Sequence, residues 1–376
     1  MIYLDNNATT PVDPEVYDAV FSSLKRDIGN PSSSHAAGLR ARETIARGRA
    51  QVAELIGCGP EEIVFTSGGT ESNNLSILGT ALRQEKGHII TSAIEHPSVL
   101  NACRHLESLG YSVTYAPADA DGFVSVDAIR KAVRRDTLLI TVMHANNETG
   151  VIQPVAEIGG IAQEQAIAFH TDAAQSVGKM PFSVSDAPVS LMTLVSHKFY
   201  GPKGIGALYV RKETPLTPIL FGAGHEQGLR PGTENVAGIV GMGKACQIAL
   251  RDMKLRISHT RGLRDLLFSV LKEKIPGVSL NGHAAHRLPN TLSIRFPGIR
   301  ALDLIERLKD SVAASAGSAC HAGRDVPSAV LKAMGLTDDD ALSSVRLSVG
   351  KDNTEEEVRE AAGIISLAAA ALGSGQ

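Results

Sequence analysis

Apolar and polar positions follow two different periods along the first half of this chain. "ARETIARGRAQVAELIG" (41–57) repeats apolar residues every three to four positions and predicts a helix. "EEIVFTS" (61–67) is short, apolar and partly β-branched, which predicts a strand, and "TESNNLSILGTALRQ" (70–84) returns to the helical period. Further strands are predicted at "GHIITS" (87–92), "SVTYAP" (112–117), "LLITVMH" (138–144), "AIAFHTD" (166–172), "VSLMTLVS" (189–196) and "ALYVR" (207–211). Most are separated by helix-length segments. From about residue 40 to 210 the alternation predicts an α/β fold, with a mainly parallel sheet covered by helices on both faces.

Towards the C-terminal third the pattern changes. Long helical windows at 236–258 and 301–310 mix with isolated strand candidates at 291–296 and 343–350. The last helix is predicted to start at Thr354, which stands three residues before Glu357 in capping-box spacing. The expected organisation is a large domain over 15–250, and a smaller α+β domain formed by 1–14 together with 251–376. No internal repeat or low-complexity linker interrupts it.

Composition narrows the function classes. The 376 residues are 43% hydrophobic and 20% charged, with a net charge of -3 and basic residues not gathered into blocks, so there is no electrostatic footprint for nucleic acid. Aromatic residues make up 4%, without tryptophan, which argues against a base-stacking platform. The longest apolar run near the C-terminus, "GIISLAAAALG", is too short to span a bilayer. The opening "MIYLDNNATTP" lacks the basic and apolar regions of a signal peptide, so the expected location is the cytoplasm. Four cysteines, at 58, 103, 246 and 320, are too widely spaced for a zinc site, and reduced thiols are expected.

Candidate chemistry gathers where predicted strands end. "SHKFYGPKGIG" (196–206) is glycine-rich, but it has neither the Gly-Lys-Ser/Thr ending of a Walker loop nor the glycine spacing of a dinucleotide turn. A lone loop lysine such as Lys198 is ordinarily solvated. Its setting is not ordinary, because ligands of open α/β sheets bind at the carboxyl ends of the strands and several polar clusters fall there. Gly68, Gly69 and Thr70 follow one predicted strand and open a helix, suiting either a phosphate or a plain cap. His96 and the pair Asn146–Asn147 follow two others. Asp172 ends an apolar strand and precedes two alanines, so it is expected to be buried and to need a cation. A protonated pyridine nitrogen is such a cation. Pyridoxal phosphate (PLP) requires a Schiff-base lysine, a carboxylate at the ring nitrogen and a phosphate cradle. Lys198, Asp172 and the Gly69–Thr70 turn supply all three.

"YLDNNATTPVDPEV", "GNPSSSHAAG", "FTSGGTESNNL", "EHPSV", "NNETGVIQP", "HTDAAQSVGK", "SHKFYGPKGIGALYVR", "RPGTENV", "SAGSACHAG" and "VRLSVG" occur in order and cover most of the chain. Together they resemble the cysteine desulfurases among the fold-type I PLP enzymes, of the class V aminotransferase family. The resemblance implies a mainly parallel seven-stranded sheet flanked by helices, plus the smaller α+β domain. It implies that Lys198 holds the cofactor aldehyde, Asp172 its ring-nitrogen proton, and His96 the ring face, with His96 and Lys198 catalytic. Asn147 and Gln175 would lie near the ring's phenolic oxygen. Thr70, the Gly69 backbone and His197 would bind the phosphate, and Thr233 would reach it from the second subunit of a homodimer. Arg346, with Asn147, would bind the substrate carboxylate. The family often has a serine where this chain has Val195; Ser196 is the candidate substitute.

Cys320, in "SAGSACHAG", could by itself be an ordinary buried cysteine. The long-loop desulfurase group has a similar motif, which implies that the Cys320 thiolate takes sulfur from L-cysteine, leaving alanine and a persulfide for an acceptor or scaffold protein. Selenocysteine lyase, acting on L-selenocysteine, is the nearest alternative. A silent partner-binding scaffold would be expected to lack Lys198, Asp172 or Cys320, and a plain aminotransferase would have no use for Cys320. No metal and no membrane contact are expected.

Overall fold

A computed structural model describes residues 1–316 and 326–373. The chain begins with β1 (Ile2–Tyr3), α1 (Pro14–Arg26) and α2 (Ala36–Ile56). The alternating region follows as β2 (Ile63–Thr66), α3 (Gly69–Ala81), β3 (His88–Ser92), α4 (Pro97–Ser108), β4 (Ser112–Ala116) and α5 (Val126–Ala132). It continues through β5 (Thr137–Thr141), α6 (Val155–Glu164), β6 (Ala168–Asp172), β7 (Leu191–Val195) and β8 (Gly206–Val210). The long α7 (Val236–Lys274) leads to β9 (Ser279–Leu280), β10 (Thr291–Arg295), α8 (Ala301–Leu308) and β11 (Val312–Ala313). The chain closes with α9 (Ala329–Ala333), α10 (Asp338–Leu342), β12 (Ser344–Ser348) and α11 (Glu355–Gly373).

Seven strands form one sheet in the order β2-β8-β7-β6-β5-β3-β4, parallel throughout except for β8, which runs against both its neighbours. Ser92, Thr141, Asp172 and Val195 therefore end their strands on the same edge. The antiparallel sense of β8 brings Gly206 to that edge too, opposite Thr66 on one side and Val195 on the other. Both faces are covered. Phe169, Met192 and Leu194 belong to the main core, and Ile89, Leu139, Val99 and Leu106 pack on the opposite side with α4. The fully buried strands read as unbroken apolar runs because neither face meets water.

A second core gathers Leu292, Ile294, Leu347, Leu304 and Val358 around the antiparallel β12-β10-β9 sheet. Leu4 from the start of the chain is buried in it, and β1 pairs with β11. α7 joins the two cores: Ile239 and Met242 lie in the first, Leu267 and Leu271 in the second. The apolar period points to a helix ending at residue 258, but α7 runs on to Lys274. Ser258, His259, Thr260, Arg261 and Gly262 break the apolar spacing without breaking the helix, and the Thr260 hydroxyl donates to Arg256 O at 2.7 Å. The capping box forms as the spacing predicts. Glu357 N donates to Thr354 Oγ1 and Thr354 N to Glu357 Oε2, both at 3.1 Å.

Candidate active site

A cavity of about 740 Å³ opens at the carboxyl edge of the large sheet. Asp172, the last residue of β6, is buried at its wall. One carboxylate oxygen accepts from Ala174 N at 2.9 Å and the other from Asn73 Nδ2 at 2.7 Å. Lys198 ends the 3-10 turn between β7 and β8, and its Nζ donates to the carbonyls of Asn7 and Ala8, both at 2.7 Å. Burial, reinforced by the positive charge of Arg346, brings its pKa down to about 8, against the opposing pull of Asp172 and Asp5. The lysine and the carboxylate thus open into one space.

Gly68 ends the turn after β2 with φ 154°, and α3 starts at Gly69. The first-turn amides of α3, at Gly69 and Thr70, have no intrahelical partner and line the cavity. Glycine is required where β8 passes: a Cβ on Gly206 would stand 2.8 Å from the Gly68 Cα. His197 lines the same end, with Nδ1 3.0 Å from Thr9 Oγ1, and burial followed by Lys198 pushes its pKa down to about 4. Ser196 is not brought there. Val195 faces the cavity, while the Ser196 hydroxyl is buried on the other side, where a Cβ on Gly201 would meet it at 2.0 Å. The reason is alternation: adjacent residues leaving β7 point opposite ways.

His96 caps α4 from the far side of the cavity, its Nδ1 accepting from Ser98 N at 3.2 Å. Burial lowers its pKa. Arg346, in β12, is fixed by Asp5 Oδ1 at 2.8 Å and the Asn147 carbonyl at 3.1 Å, and Asn147 itself lines the cavity. Gln175 donates to the Asn7 carbonyl at 3.0 Å. Thr233 is exposed and does not line the cavity of its own chain. Cys320 lies outside the described residues. The chain approaches it from Ser315, which pairs with the Arg346 backbone, and leaves it at Val326, Pro327 and Val330 on the cavity wall. Ser328 in that exit segment donates to the buried Glu148 at 2.5 Å.

Several residues of the site give no local signal in the sequence. Asn7 is a hub: its side-chain oxygen accepts from Lys179 Nζ and Asn290 Nδ2, both at 3.0 Å. Lys179 is buried, and burial, followed by the neighbouring Lys198 and Arg346, holds its pKa well below the ordinary lysine value. Glu95 accepts from Ser92 Oγ and Met143 N through one oxygen, and burial pushes its pKa up to about 8. Its other oxygen has no partner among the described residues, although Glu95 lines the cavity.

The aminotransferase class-V family model matches residues 2–360. The chain is 45% identical over 360 residues to cysteine desulfurase IscS of Dictyoglomus turgidum, covering 95% of this chain and 91% of that one. A solved structure of a NifS-like protein superposes with a TM-score of 0.92 at 38% identity, covering 97% of this chain and 98% of that one. A structure described as SspA in complex with cysteine gives a TM-score of 0.83 at 37% identity, covering 94% and 100%.

The cofactor of these enzymes is PLP, and the cavity fits it. A buried carboxylate suits a protonated ring nitrogen, a lysine that readily becomes neutral suits an aldehyde, and a helix start with free amides suits a phosphate. The Glu95 oxygen and Asn73 Oδ1, each without a partner among the described residues, are buried polar atoms on residues that line the same space.

Proposed function

This chain belongs to the aminotransferase class-V family, and we propose that it is a cysteine desulfurase that converts L-cysteine to L-alanine and leaves a persulfide on Cys320. The observation that carries the reading is the joint opening of Lys198, Asp172 and Arg346 into one cavity whose wall includes Val326 and Pro327, on the exit side of the Cys320 segment, while Ser315 on the entry side pairs with the Arg346 backbone. Bound PLP supplies the aldehyde that captures the substrate amine and the ring that spreads the electron pair released at the α-carbon. Asp172 would hold the proton on the ring nitrogen. Lys198, with its pKa near 8, accepts and returns the α-proton near neutral pH. Arg346 keeps its fork oriented through Asp5 and the Asn147 carbonyl and engages the substrate carboxylate with its remaining N–H groups. Thr70, the Gly69 amide and His197 would hold the phosphate, His96 would cover the ring, and Asn147 and Gln175 would serve its phenolic oxygen. The Cys320 thiolate then takes the substrate sulfur, which breaks the carbon–sulfur bond and forms the sulfur–sulfur bond.

The same reading assigns the persulfide to a sulfur-acceptor or scaffold protein, for iron–sulfur assembly or thiolation, and sets the enzyme in the cytoplasm. No helix among the described residues is long and apolar enough to cross a membrane. We assign residues 1–14 and 251–376 to a small domain around the second core, and Thr233 to the phosphate of the other subunit in a homodimer. The test is alanine formation from L-cysteine and L-selenocysteine by the wild type and Cys320→Ala. A desulfurase turns over both substrates and loses cysteine turnover in the variant. Cysteine turnover that survives the variant refutes the persulfide route, and a wild type that accepts only selenocysteine makes the enzyme a lyase.

A further inference from the structure

Asn73, in the second turn of α3, is buried, and its neighbours decide how its amide points. Nδ2 lies 2.7 Å from Asp172 Oδ2 and 2.8 Å from Ser98 Oγ. Turning the amide over would set its carbonyl oxygen against a carboxylate oxygen, so the two N–H groups face these two acceptors. Ser98 Oγ accepts from Asn73, and its own proton is free for its other neighbour, His96 Nδ1, at 2.8 Å. The Ser98 backbone N–H also donates to that ring nitrogen, at 3.2 Å, and a backbone N–H cannot reverse its role. Two donors aimed at Nδ1 leave no room for a proton there. A neutral ring must then carry its proton on Nε2.

We propose that Asn73 and Ser98 are positioning residues that hold His96 as the neutral, Nε2-protonated tautomer, and that the same Asn73 amide secures Asp172 for the ring nitrogen. The proposal rests on the cofactor reading above. A ring cation held by Asp172 would repel an imidazolium stacked on it, whereas a neutral imidazole stacks without that cost. The charged groups acting on His96 are Asp172 on β6, which favours its protonation, and Lys198 beyond β7, which opposes it; Glu95 precedes it in the chain. Burial is the largest influence and favours the neutral ring. Nε2 has no partner among the described residues, so His96 meets the substrate as an N–H donor. Accepting a proton at Nδ1 would set it against the Ser98 backbone N–H, which cannot accept, and break the cap of α4.

The test is nitrogen NMR of the holoenzyme labelled with 15N-histidine, with His96 assigned by its loss in His96→Gln. The wild type is expected to show an unprotonated Nδ1 and a protonated Nε2. Ser98→Ala removes the hydroxyl donor to Nδ1 and Asn73→Ala frees that hydroxyl to turn away from it; either change weakens the neutral form, so both variants should raise the pH at which His96 titrates by about 0.5–1 unit. In both variants kcat should fall about tenfold to a hundredfold with little change in KM. Ser98→Thr keeps the hydroxyl and should keep the wild-type titration. A wild-type His96 protonated on Nδ1, or a titration unmoved in both alanine variants, overturns the proposal. Cofactor content, read separately from absorbance, distinguishes the two failures. A wild type that takes up no PLP refutes the proposed function, while the tautomer of its His96 still tests the relay.

Discussion

The Lys198 amine rests between the carbonyl oxygens of Asn7 and Ala8, and burial brings its pKa to about 8. A lowered amine pKa means the charge is lost as pH rises through that value, well before an ordinary lysine titrates. In the cofactor-free enzyme, labelling of Lys198 by a neutral acylating reagent should speed up about tenfold between pH 7 and pH 9 and then level off. A rate that keeps climbing beyond pH 9 would mark an ordinary lysine. Asp172→Asn should retain PLP yet lose at least about a hundredfold in alanine formation, because a neutral amide cannot keep the ring nitrogen protonated. Near-normal turnover would make Asp172 a structural acid. Asp172 is legible in the sequence because it ends an apolar strand where a charge is out of place, and Lys198 because it follows one at the ligand-binding edge; Arg346 is named only through the family resemblance. Asn7, Asn73, Ser98 and Lys179 are not legible. Asn73 and Ser98 lie in helices and read as a solvated face, Asn7 and Lys179 lie in turns and read as loop residues, and only the fold shows that their partners arrive from distant segments.

Among the elements, β2 lies at one end of the sheet, and its free edge is covered rather than left to solvent. Glu226 accepts from Phe65 N at 2.8 Å, and Arg49, from α2, donates to the Ile63 carbonyl and pairs with the same carboxylate at 2.8 Å. One ion pair, with Glu226 buried and Arg49 partly so, thus satisfies the main chain of an edge strand and ties down the segment that leads to Thr233. Glu226→Ala strands the Arg49 charge and the Phe65 amide together, and should cost about 3–5 kcal/mol, read from denaturant unfolding. If the segment serves the phosphate site, PLP should also dissociate faster from this variant. Unchanged PLP release beside a clear stability loss would confine Glu226 to the strand edge. The periodicity of the chain predicts β2 and its neighbours, but not this cover. Glu226 sits in a short 3-10 turn at positive φ, 46°, with no apolar period around it, and its partners belong to α2 and β2. The element boundaries also shift for local reasons: α2 starts at Ala36 because the His35 side chain accepts from Gly38 N and caps it there.

At the scale of the whole molecule, two cores share α7, and the site draws on both. Asp172 and Lys198 come from the large sheet, and Arg346 from the sheet of the second core. Thr233, proposed above for the phosphate, does not fit this arrangement, since it is exposed and away from its own cavity. α1 also leaves Tyr17, Phe21 and Leu24 exposed, an apolar stripe that a second copy would cover. A homodimer with Thr233 acting across the interface accounts for both features. It makes a prediction that a mere structural contact would not. Lys198→Ala and Thr233→Arg should each be inactive as homodimers, the first for want of the lysine and the second because a bulky cation displaces the phosphate contact. Refolding the two variants together should then produce hybrids. In a hybrid, one site receives both substitutions and the other receives neither, because its lysine comes from the Thr233→Arg chain and its threonine from the Lys198→Ala chain. Random pairing makes half the dimers hybrid with one of two sites intact, so about one quarter of the wild-type activity should return. If Thr233 served the cavity of its own chain, every site in every mixture would carry a defect, and no activity would return.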